Sequence, residues 1–307
     1  MCLNNLNDEY RCDFLVNKSR KKLWKIELEM LVWVNKICDD NNLNYFLLGG
    51  SAIGAIRHKG FIPWDDDLDI GMFRSDFNKF IEIINNLDGF PYFIQYGQND
   101  NGKISSLLRI RDSSSTGILR EDFNRNCNNG IFIEIYPFDN VPDNYLARKL
   151  QFTLSYVLYH GMHAYYYGSS SVKQFFGKIL VIIIGYERTY DIWQKNNQKF
   201  NNLDCQYVDT VSLPYYYRKG IHRFKKEWIN NYCKVPFEKI CARISMNSDE
   251  MIKLEYIDYL DLPPKEIRGK HHDYLVFYDP TKPFSFYDNN IKVEKYFQGI
   301  GADALGD

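Results

Sequence analysis

The chain has 307 residues, of which 45% are hydrophobic and 25% charged, which excludes a disordered protein and suggests about two domains. It contains 38 Lys and Arg against 39 Asp and Glu, for a net charge of −1. This balance argues against a dedicated nucleic-acid-binding protein, so we expect no nucleic-acid partner. Its seven cysteines are scattered, which favours reduced thiols in a cytoplasmic protein.

Hydrophobic periodicity predicts alternating helices and strands over the first 140 residues. An amphipathic helix is expected at residues 18–42, and Ser75 is the expected cap of a later helix. In chain order, the predicted elements are a helix at 18–42, a buried strand at 45–48, a short helix at 52–57, a strand at 68–72, a helix at 75–86 and strands at 92–95, 105–111, 117–119 and 131–136.

The pattern changes after residue 143. Residues 145–166 and 172–200 are predicted to be helical, and short strands and loops follow from residue 207. We therefore expect a catalytic part at 1–140, a helical and mixed part at 141–287 whose end folds back, and a tail at 288–307. The apolar run 179–185 is too short to span a bilayer. A buried helix is the favoured interpretation, and a helix lying on a membrane surface is the alternative.

The strongest chemical signal is a cluster of carboxylates at residues 65–69, where Leu68 is the only residue that is not Asp. On a strand, Asp67 and Asp69 project from the same face, while Leu68 and Ile70 point into the core. Two adjacent negative charges are readily neutralised by a divalent cation, and oxygen ligands suit Mg²⁺ or Mn²⁺. The alternative is an acidic turn at the surface.

Two further signals lie on either side of this cluster in the sequence. Gly49, Gly50 and Ser51 follow a predicted strand and open a helix, where backbone N–H groups can approach a phosphate; tight-turn packing is the alternative. Glu134 lies in an apolar strand, where burial is costly unless a carboxylate is paired or bound to a metal. It is a third candidate metal ligand, and an ion pair with Arg109 or Arg111 is the alternative.

Together these signals resemble the nucleotidyltransferase fold of the polymerase β-like superfamily. Residues 48–70, from the glycine turn through the aspartates, are similar to the signature of the LicD family, which includes phosphocholine transferases and is related to fukutin-type ribitol-phosphate transferases. Glu134 with residues 136–139 and the segment 259–272 match later family motifs. The resemblance implies an α+β fold, with a mixed sheet flanked by helices and an added, mainly helical C-terminal part.

The resemblance also implies an activity. LicD-type enzymes transfer a substituted phosphate from a CDP-activated donor to a hydroxyl of a cell-surface glycan, such as teichoic acid, capsular polysaccharide or lipopolysaccharide, or of its lipid-linked precursor. Phosphocholine from CDP-choline is the first candidate. Glycerol phosphate, ribitol phosphate and phosphoethanolamine are alternatives, as is nucleotidyl transfer or a non-catalytic binding role. We expect a cytoplasmic location, with possible peripheral contact at the inner membrane face.

Residue roles follow from the matched positions. Asp67, Asp69 and Glu134 are the expected catalytic residues and ligands of Mg²⁺ or Mn²⁺. The basic residues near these motifs are expected to contact the donor together with the glycine turn. The predicted donor-binding residues are Gly49, Gly50, Ser51, Arg57, His58, Arg109, Arg111, Arg268, His271 and His272. Trp64, Asp65 and Asp66 are expected to support the site.

Overall fold

The computed structural model describes residues 3, 5–101, 103–122, 125–168, 172–213, 224–269 and 275–288. The helices are α1 (Lys18–Asn41), α2 (Gly49–His58), α3 (Arg74–Asn85), α4 (Tyr145–Tyr167), α5 (Val172–Ile184), α6 (Tyr186–Asn197), α7 (Lys226–Asn230), α8 (Ser248–Lys253) and α9 (Ser285–Asp288). The strands are β1 (Glu9–Arg11), β2 (Phe14–Val16), β3 (Phe46–Leu47), β4 (Asp69–Phe73), β5 (Phe93–Asp100), β6 (Lys103–Asp112), β7 (Thr116–Leu119), β8 (Ile131–Val141), β9 (Tyr207–Asp209), β10 (Phe224–Lys225), β11 (Tyr232–Phe237), β12 (Ile240–Ser245) and β13 (Leu275–Asp279).

Strand β8 is the centre of a seven-stranded mixed sheet. Strand β4 runs parallel to it along one edge. Along the other edge, β6 pairs antiparallel with the first half of β8, and β9 pairs with its last residues. Beyond these, β3 joins β4, β5 joins β6 and β10 joins β9. The predicted α+β architecture with a mixed sheet flanked by helices is confirmed.

Helix α1 covers the main core. Its beginning is capped by the Asn17 side chain, which accepts a hydrogen bond from the Arg20 N–H, and it ends at Asn42 in the left-handed conformation. The apolar residues that recur at helical spacing pack in one cluster with Ile133 and Ile135 of β8. Because side chains alternate along a strand, Glu134 lies on the opposite face, together with Phe138. The periodicity that predicted a helix at 18–42 therefore identified the core face correctly.

Several boundaries differ from the predictions. Helix α3 begins at Arg74, so Ser75 is not its cap. The predicted helix 172–200 is broken at Gly185, whose φ of +91° is a left-handed conformation that L side chains rarely adopt. Strand β8 continues through Pro137, which pairs with Met72, and ends at Val141. Tertiary pairing across the sheet extends this strand beyond the point where local sequence signals end it.

After residue 141 the long helices are α4, α5 and α6, and the described residues that follow contain only the short α-helices α7, α8 and α9. Strands β9 and β10 then return to the central sheet, and β13 pairs with β7. The sheet therefore crosses the predicted boundary at residue 140. The apolar run 179–185 forms the second half of α5, in which Val181 is buried while Ile182 and Ile183 are exposed. The prediction that this run is a buried helix is wrong for its outer face.

Candidate functional site

Strand pairing brings three predicted site residues into one row. Asp69 of β4 lies opposite Glu134 of β8, and Glu134 lies opposite Arg109 of β6. Gln95 of β5 extends the row by one strand. Directly paired residues project from the same face of a sheet, so the side chains of this row are neighbours. The row therefore places the carboxylates of Asp69 and Glu134 side by side, with the guanidinium of Arg109 next to Glu134.

Both oxygens of Glu134 have partners. Arg109 Nε donates to Oε1 at 2.6 Å, and the hydroxyl of Tyr136 donates to Oε2 at 2.5 Å. The ion pair between Glu134 and Arg109 that the sequence left open is thus present. A carboxylate oxygen has a second lone pair, so these hydrogen bonds leave Glu134 able to coordinate a cation as well. Tyr136 was missed as a site residue, although its spacing of two from Glu134 on a strand indicates a shared face.

Asp69 is less completely partnered than Glu134. Its Oδ1 is buried and has no hydrogen-bond partner within the described part of the chain. Burial raises the pKa of Asp69 well above its usual range, and the carboxylates of Glu134 and Asp65 add to this increase. Arg109 and the hydroxyl of Tyr136 oppose the shift. An unpartnered, buried carboxylate oxygen beside other carboxylates is a feature that a bound cation would satisfy.

The loop before β4 adds a compact group of carboxylates. Ligand atoms of Asp65, Asp66 and Asp67 lie within 4.8 Å of one another. Burial raises the pKa of Asp67, and its nearest negative neighbours are Asp65 and Asp69. Asp66 is only 2% exposed, and its Oδ2 accepts a hydrogen bond from the N–H of Leu275. Burial of Asp65 and Asp66 excludes the alternative of an acidic turn at the surface.

Two residues on one face of α1, Arg20 and Trp24, hold this loop, and a buried glutamate follows on the same helix. Arg20 donates to the carbonyls of Trp64 and Asp65, and the indole of Trp24 donates to the carbonyl of Asp65. Glu27, one turn further along, is fully buried, and neither of its oxygens has a partner among the described residues. Burial, together with the carboxylates of Asp66 and Asp65, raises the pKa of Glu27 well above its usual range. Sequence reasoning missed Glu27, because a lone glutamate in an amphipathic helix usually indicates a solvent-exposed position.

The glycine turn lies directly beside the aspartates. Gly49 begins α2 with a φ of +53°, and a Cβ placed on it would be 4.0 Å from Asp69 Oδ2. A Cβ on Gly50 would be 2.8 Å from Asp65 Oδ2, too close for any other residue without displacement of the carboxylate. The hydroxyl of Ser51 accepts a hydrogen bond from the N–H of Asp69 at 2.9 Å. The positive end of the α2 dipole is thus held against the acidic group.

Arg57 and His58 lie at the opposite end of α2 from the glycine turn. The Arg57 guanidinium donates to the carbonyls of Tyr259 and Asp261 and to the ring of His58. Burial, with the charges of Arg57 and Arg11, lowers the pKa of His58 to about 4, so His58 is neutral at neutral pH. In this structure Arg57 joins the helix to the C-terminal segment, and His58 offers no positive charge to a phosphate.

Arg111 and Arg268, two further predicted donor-binding residues, lie in different surroundings. Arg111 is fully buried, and it donates to Gln95 and to the carbonyl of Gly130. This placement directs the Arg111 guanidinium into the interior, and its part in donor binding stays a prediction. Arg268 donates to the carbonyls of Pro263 and Cys12 and stacks 5.4 Å from the ring centroid of Trp64. Trp64 is itself buried and packs the loop. His271 and His272 lie outside the described residues.

The observed donor set fits a hard divalent cation. The available ligands are carboxylate oxygens, the chemistry that Mg²⁺ and Mn²⁺ prefer. The unpartnered Oδ1 of Asp69 and the close approach of Asp65 and Asp67 provide a place for such an ion. Asp65 was expected only to support the site, and the structure makes it a further candidate ligand.

Comparison with known proteins supports the LicD resemblance. A family model described as the LicD/FKTN/FKRP nucleotidyltransferase domain matches residues 42–166. Residues 42–166 are thus similar to the LicD domain. The lipopolysaccharide cholinephosphotransferase LicD of Haemophilus influenzae is 24% identical over 262 residues, which cover 80% of this chain and 92% of that protein. The predicted LicD resemblance and the enzyme class, a LicD-type phosphotransferase, are confirmed.

Other proteins are similar to shorter parts of this chain. The ribitol 5-phosphate transferase FKRP of Homo sapiens is 41% identical over 44 residues, which are 14% of this chain and 9% of that protein. An uncharacterized protein of Rickettsia prowazekii is 36% identical over 62 residues, or 20% of this chain and 23% of that protein. The LicD domain includes the glycine turn, the aspartates and Glu134, whereas Glu27 and Arg268 lie outside its matched range.

Proposed function

We propose that this LicD-type enzyme transfers phosphocholine from CDP-choline to a hydroxyl of a cell-surface glycan or its lipid-linked precursor, with Mg²⁺ or Mn²⁺ as cofactor. The observation that carries the proposal is the row of Asp69 and Glu134 on paired strands, next to Asp65, Asp67 and the beginning of α2. The similarity to a lipopolysaccharide cholinephosphotransferase over 80% of the chain supports phosphocholine as the transferred group.

Asp65, Asp67 and Asp69 are the proposed cation ligands, and Glu134 shares the same site. A bound divalent cation would neutralise charge on the donor diphosphate, which is the main requirement of phosphoryl transfer. The ligand set combines the predicted Asp67, Asp69 and Glu134 with Asp65. Asp66 is better explained as a structural residue, because its Oδ2 accepts the Leu275 N–H.

The beginning of α2 is the proposed binding site for the donor phosphates. The first N–H groups of a helix have no partner within that helix, and the dipole favours negative charge there. Gly49 and Gly50 carry no side chain that would keep a phosphate away from these groups. Ser51 fixes the distance between α2 and β4, because its hydroxyl accepts the Asp69 N–H.

Glu134 is the proposed acceptor of the proton from the incoming hydroxyl. Arg109 and Tyr136 hold its carboxylate in one orientation. As the acceptor oxygen forms its bond to the phosphorus that bears choline, the bond from that phosphorus to the bridging oxygen breaks and CMP leaves. The hydroxyl proton passes to Glu134. Arg109, the neighbour of Glu134 in the row, stabilises the carboxylate until the proton arrives.

A second candidate is transfer of ribitol phosphate from CDP-ribitol. The observation in its favour is the 41% identity to FKRP over 44 residues. The same acidic row and helix terminus serve both reactions, because they contact the diphosphate and not the group that is transferred. Because the site contacts the diphosphate, it would equally accommodate transfer of glycerol phosphate or phosphoethanolamine.

Calorimetric titration with CDP-choline, CDP-ethanolamine, CDP-glycerol and CDP-ribitol, each with and without Mg²⁺, tests the proposal. We expect Mg²⁺-dependent binding of CDP-choline that is lost in Asp69→Asn and retained in Asp88→Asn, a matched change at an exposed position on the α3–β5 connection. Preference for CDP-ribitol would select the second candidate. Binding of CTP alone, followed by release of pyrophosphate, would contradict the proposal and indicate nucleotidyl transfer.

A further inference from the structure

Helices α4 and α5 form an antiparallel pair with an exposed apolar face. On α4 the face is a stripe at helical spacing, made of Leu146, Leu150, Leu154 and Val157. Leu150 is 66% exposed. Nothing in the described part of the chain covers this stripe, although a soluble protein rarely leaves a contiguous apolar surface open.

Helix α5 is even more apolar on its outer side. The exposed side chains there are Phe175, Phe176, Leu180, Ile182 and Ile183, of which Ile183 is 76% exposed. The inner side of the pair is already complete, because Leu158, Met162 and Val181 are buried together with Trp193 of α6. Gly161 and Gly177 bring the two backbones into close contact. The exposed residues are therefore surplus to the internal packing of these helices.

Charge on the pair has a single sign. The sequences of α4 and α5 contain no Asp or Glu, and their lysines include the exposed Lys149 and the partly exposed Lys178. The single arginine of the pair, Arg148, is buried and donates to two backbone carbonyls just before α4. The chain as a whole has a net charge of −1, so this concentration of positive charge is local. Tyr145 and Tyr165 are exposed near the two ends of α4, and aromatic residues of this kind favour the boundary between water and hydrocarbon.

We propose that the α4–α5 pair docks this enzyme onto the surface of an anionic lipid bilayer. An amphipathic element that is apolar on one side and basic at its edges lies in the plane of the membrane interface and prefers anionic headgroups. A second copy of the chain fits this surface less well, because two such pairs bring only positive charges together. None of the helices in the described ranges has an apolar stretch long enough to cross a bilayer, so the contact is peripheral.

Co-sedimentation of the full chain with lipid vesicles tests this proposal without reference to catalysis. The two vesicle preparations are phosphatidylcholine alone and phosphatidylcholine with about one-third phosphatidylglycerol. We expect binding to the anionic vesicles and little to the neutral ones. Ile183→Ser should weaken binding about tenfold, and Leu203→Ser, a matched change at an exposed leucine outside the pair, should leave it unchanged.

A charge reversal tests the electrostatic part separately. Lys178→Glu should weaken binding to anionic vesicles about tenfold, whereas Lys79→Glu on α3 should not. The proposal would be overturned if the protein bound both vesicle types equally or bound neither. It would also be overturned if the control variants lost as much binding as Ile183→Ser and Lys178→Glu. A concentration-dependent dimer in analytical ultracentrifugation that Ile183→Ser converts to a monomer would overturn it too, because the surface would then belong to a second copy. None of these outcomes depends on the identity of the donor.

Discussion

Strand β8 carries two buried carboxylates whose surroundings are opposite in character. Asp139, near its end, accepts two hydrogen bonds from the Arg74 guanidinium at 2.8 and 2.7 Å and a third from Asn201. Glu134, five residues earlier, also has a guanidinium partner, but its neighbour on β4 is another carboxylate, Asp69. The first arrangement balances one charge with one charge, and the second leaves an excess of negative charge.

This difference separates a structural ion pair from the proposed cation site. Although burial opposes it, the Asp139 carboxylate raises the pKa of Arg74, as expected of a closed pair. At the other site the pKa of Asp69 is raised by burial and by its carboxylate neighbours, so the protein alone does not stabilise the fully ionised state. Charge left uncompensated in a buried cluster is compensated when a ligand binds.

The largest expected effect comes from breaking the closed pair. Asp139→Asn leaves the buried Arg74 without a counter-charge, and removing one partner of a buried ion pair costs about 3 to 5 kcal/mol. Urea unfolding should show this loss in the free energy of unfolding, while the folded fraction keeps its affinity for Mn²⁺. If Asp139→Asn were as stable as the wild type, the Arg74–Asp139 ion pair would not have the structural role assigned to it.

The same substitution at the acidic row should have the opposite signature. Asp69→Asn removes a proposed cation ligand and should reduce turnover about a hundredfold or more. It also removes one of several like charges, so the free energy of unfolding without divalent cations should stay the same or rise. Turnover with the selected CDP donor and urea unfolding measure the two effects. A loss of stability comparable to that of Asp139→Asn would show that the row is structural.

Asp209 on β9 provides a third buried carboxylate and a pH-dependent test. Its Oδ2 has no partner among the described residues, and burial raises its pKa from 3.8 to about 8. Between these values the folded protein holds a proton that the unfolded chain releases, so this group makes the fold less stable as pH rises. The wild type should lose about 2 to 3 kcal/mol relative to Asp209→Asn between about pH 5 and about pH 7. Parallel stability curves for the two proteins would contradict this assignment.

The smallest expected effect concerns the glycine turn. Gly50→Ala places a Cβ 2.8 Å from Asp65 Oδ2, so the carboxylate must move, and we expect Mn²⁺ affinity to fall about tenfold. A Cβ at Gly54 on the same helix would collide with the backbone oxygen of Gly60. Gly54→Ala should therefore lower the free energy of unfolding, typically by about 1 to 3 kcal/mol. If both variants lowered Mn²⁺ affinity equally, the contact between position 50 and Asp65 would not be the cause of the loss.

The sequence predicted the parts of this site that depend on local patterns. Helical spacing identified α1, and the strand pattern placed Leu68 and Ile70 in the core. The strand itself begins only at Asp69, so Asp67 lies in the preceding loop and not on the strand as predicted. A single glutamate in an apolar strand identified Glu134 as exceptional, because its burial requires a partner. These signals come from neighbouring residues, so they need no knowledge of how distant segments meet.

Other features depend on long-range contacts and were not predictable in this way. The pairing of Asp69 with Glu134 depends on the register between two parallel strands, and the two residues are 65 positions apart in the sequence. The role of Arg57 depends on the carbonyls of Tyr259 and Asp261, and that of Glu27 on a loop that α1 covers. The apolar run in α5 was interpreted as buried, because periodicity alone does not distinguish a core helix from a helix at a membrane surface.

Calorimetric titration of Mn²⁺ into the wild type, Asp69→Asn and Asp139→Asn tests the central claim most directly. The claim is that uncompensated negative charge around Asp69 forms a divalent-cation site, whereas the fully buried Asp139 belongs to a structural pair. We predict saturable Mn²⁺ binding by the wild type and by folded Asp139→Asn, and none by Asp69→Asn. If Asp69→Asn binds Mn²⁺ with wild-type affinity, the claim is contradicted. It is also contradicted if folded Asp139→Asn loses Mn²⁺ binding while Asp69→Asn keeps it.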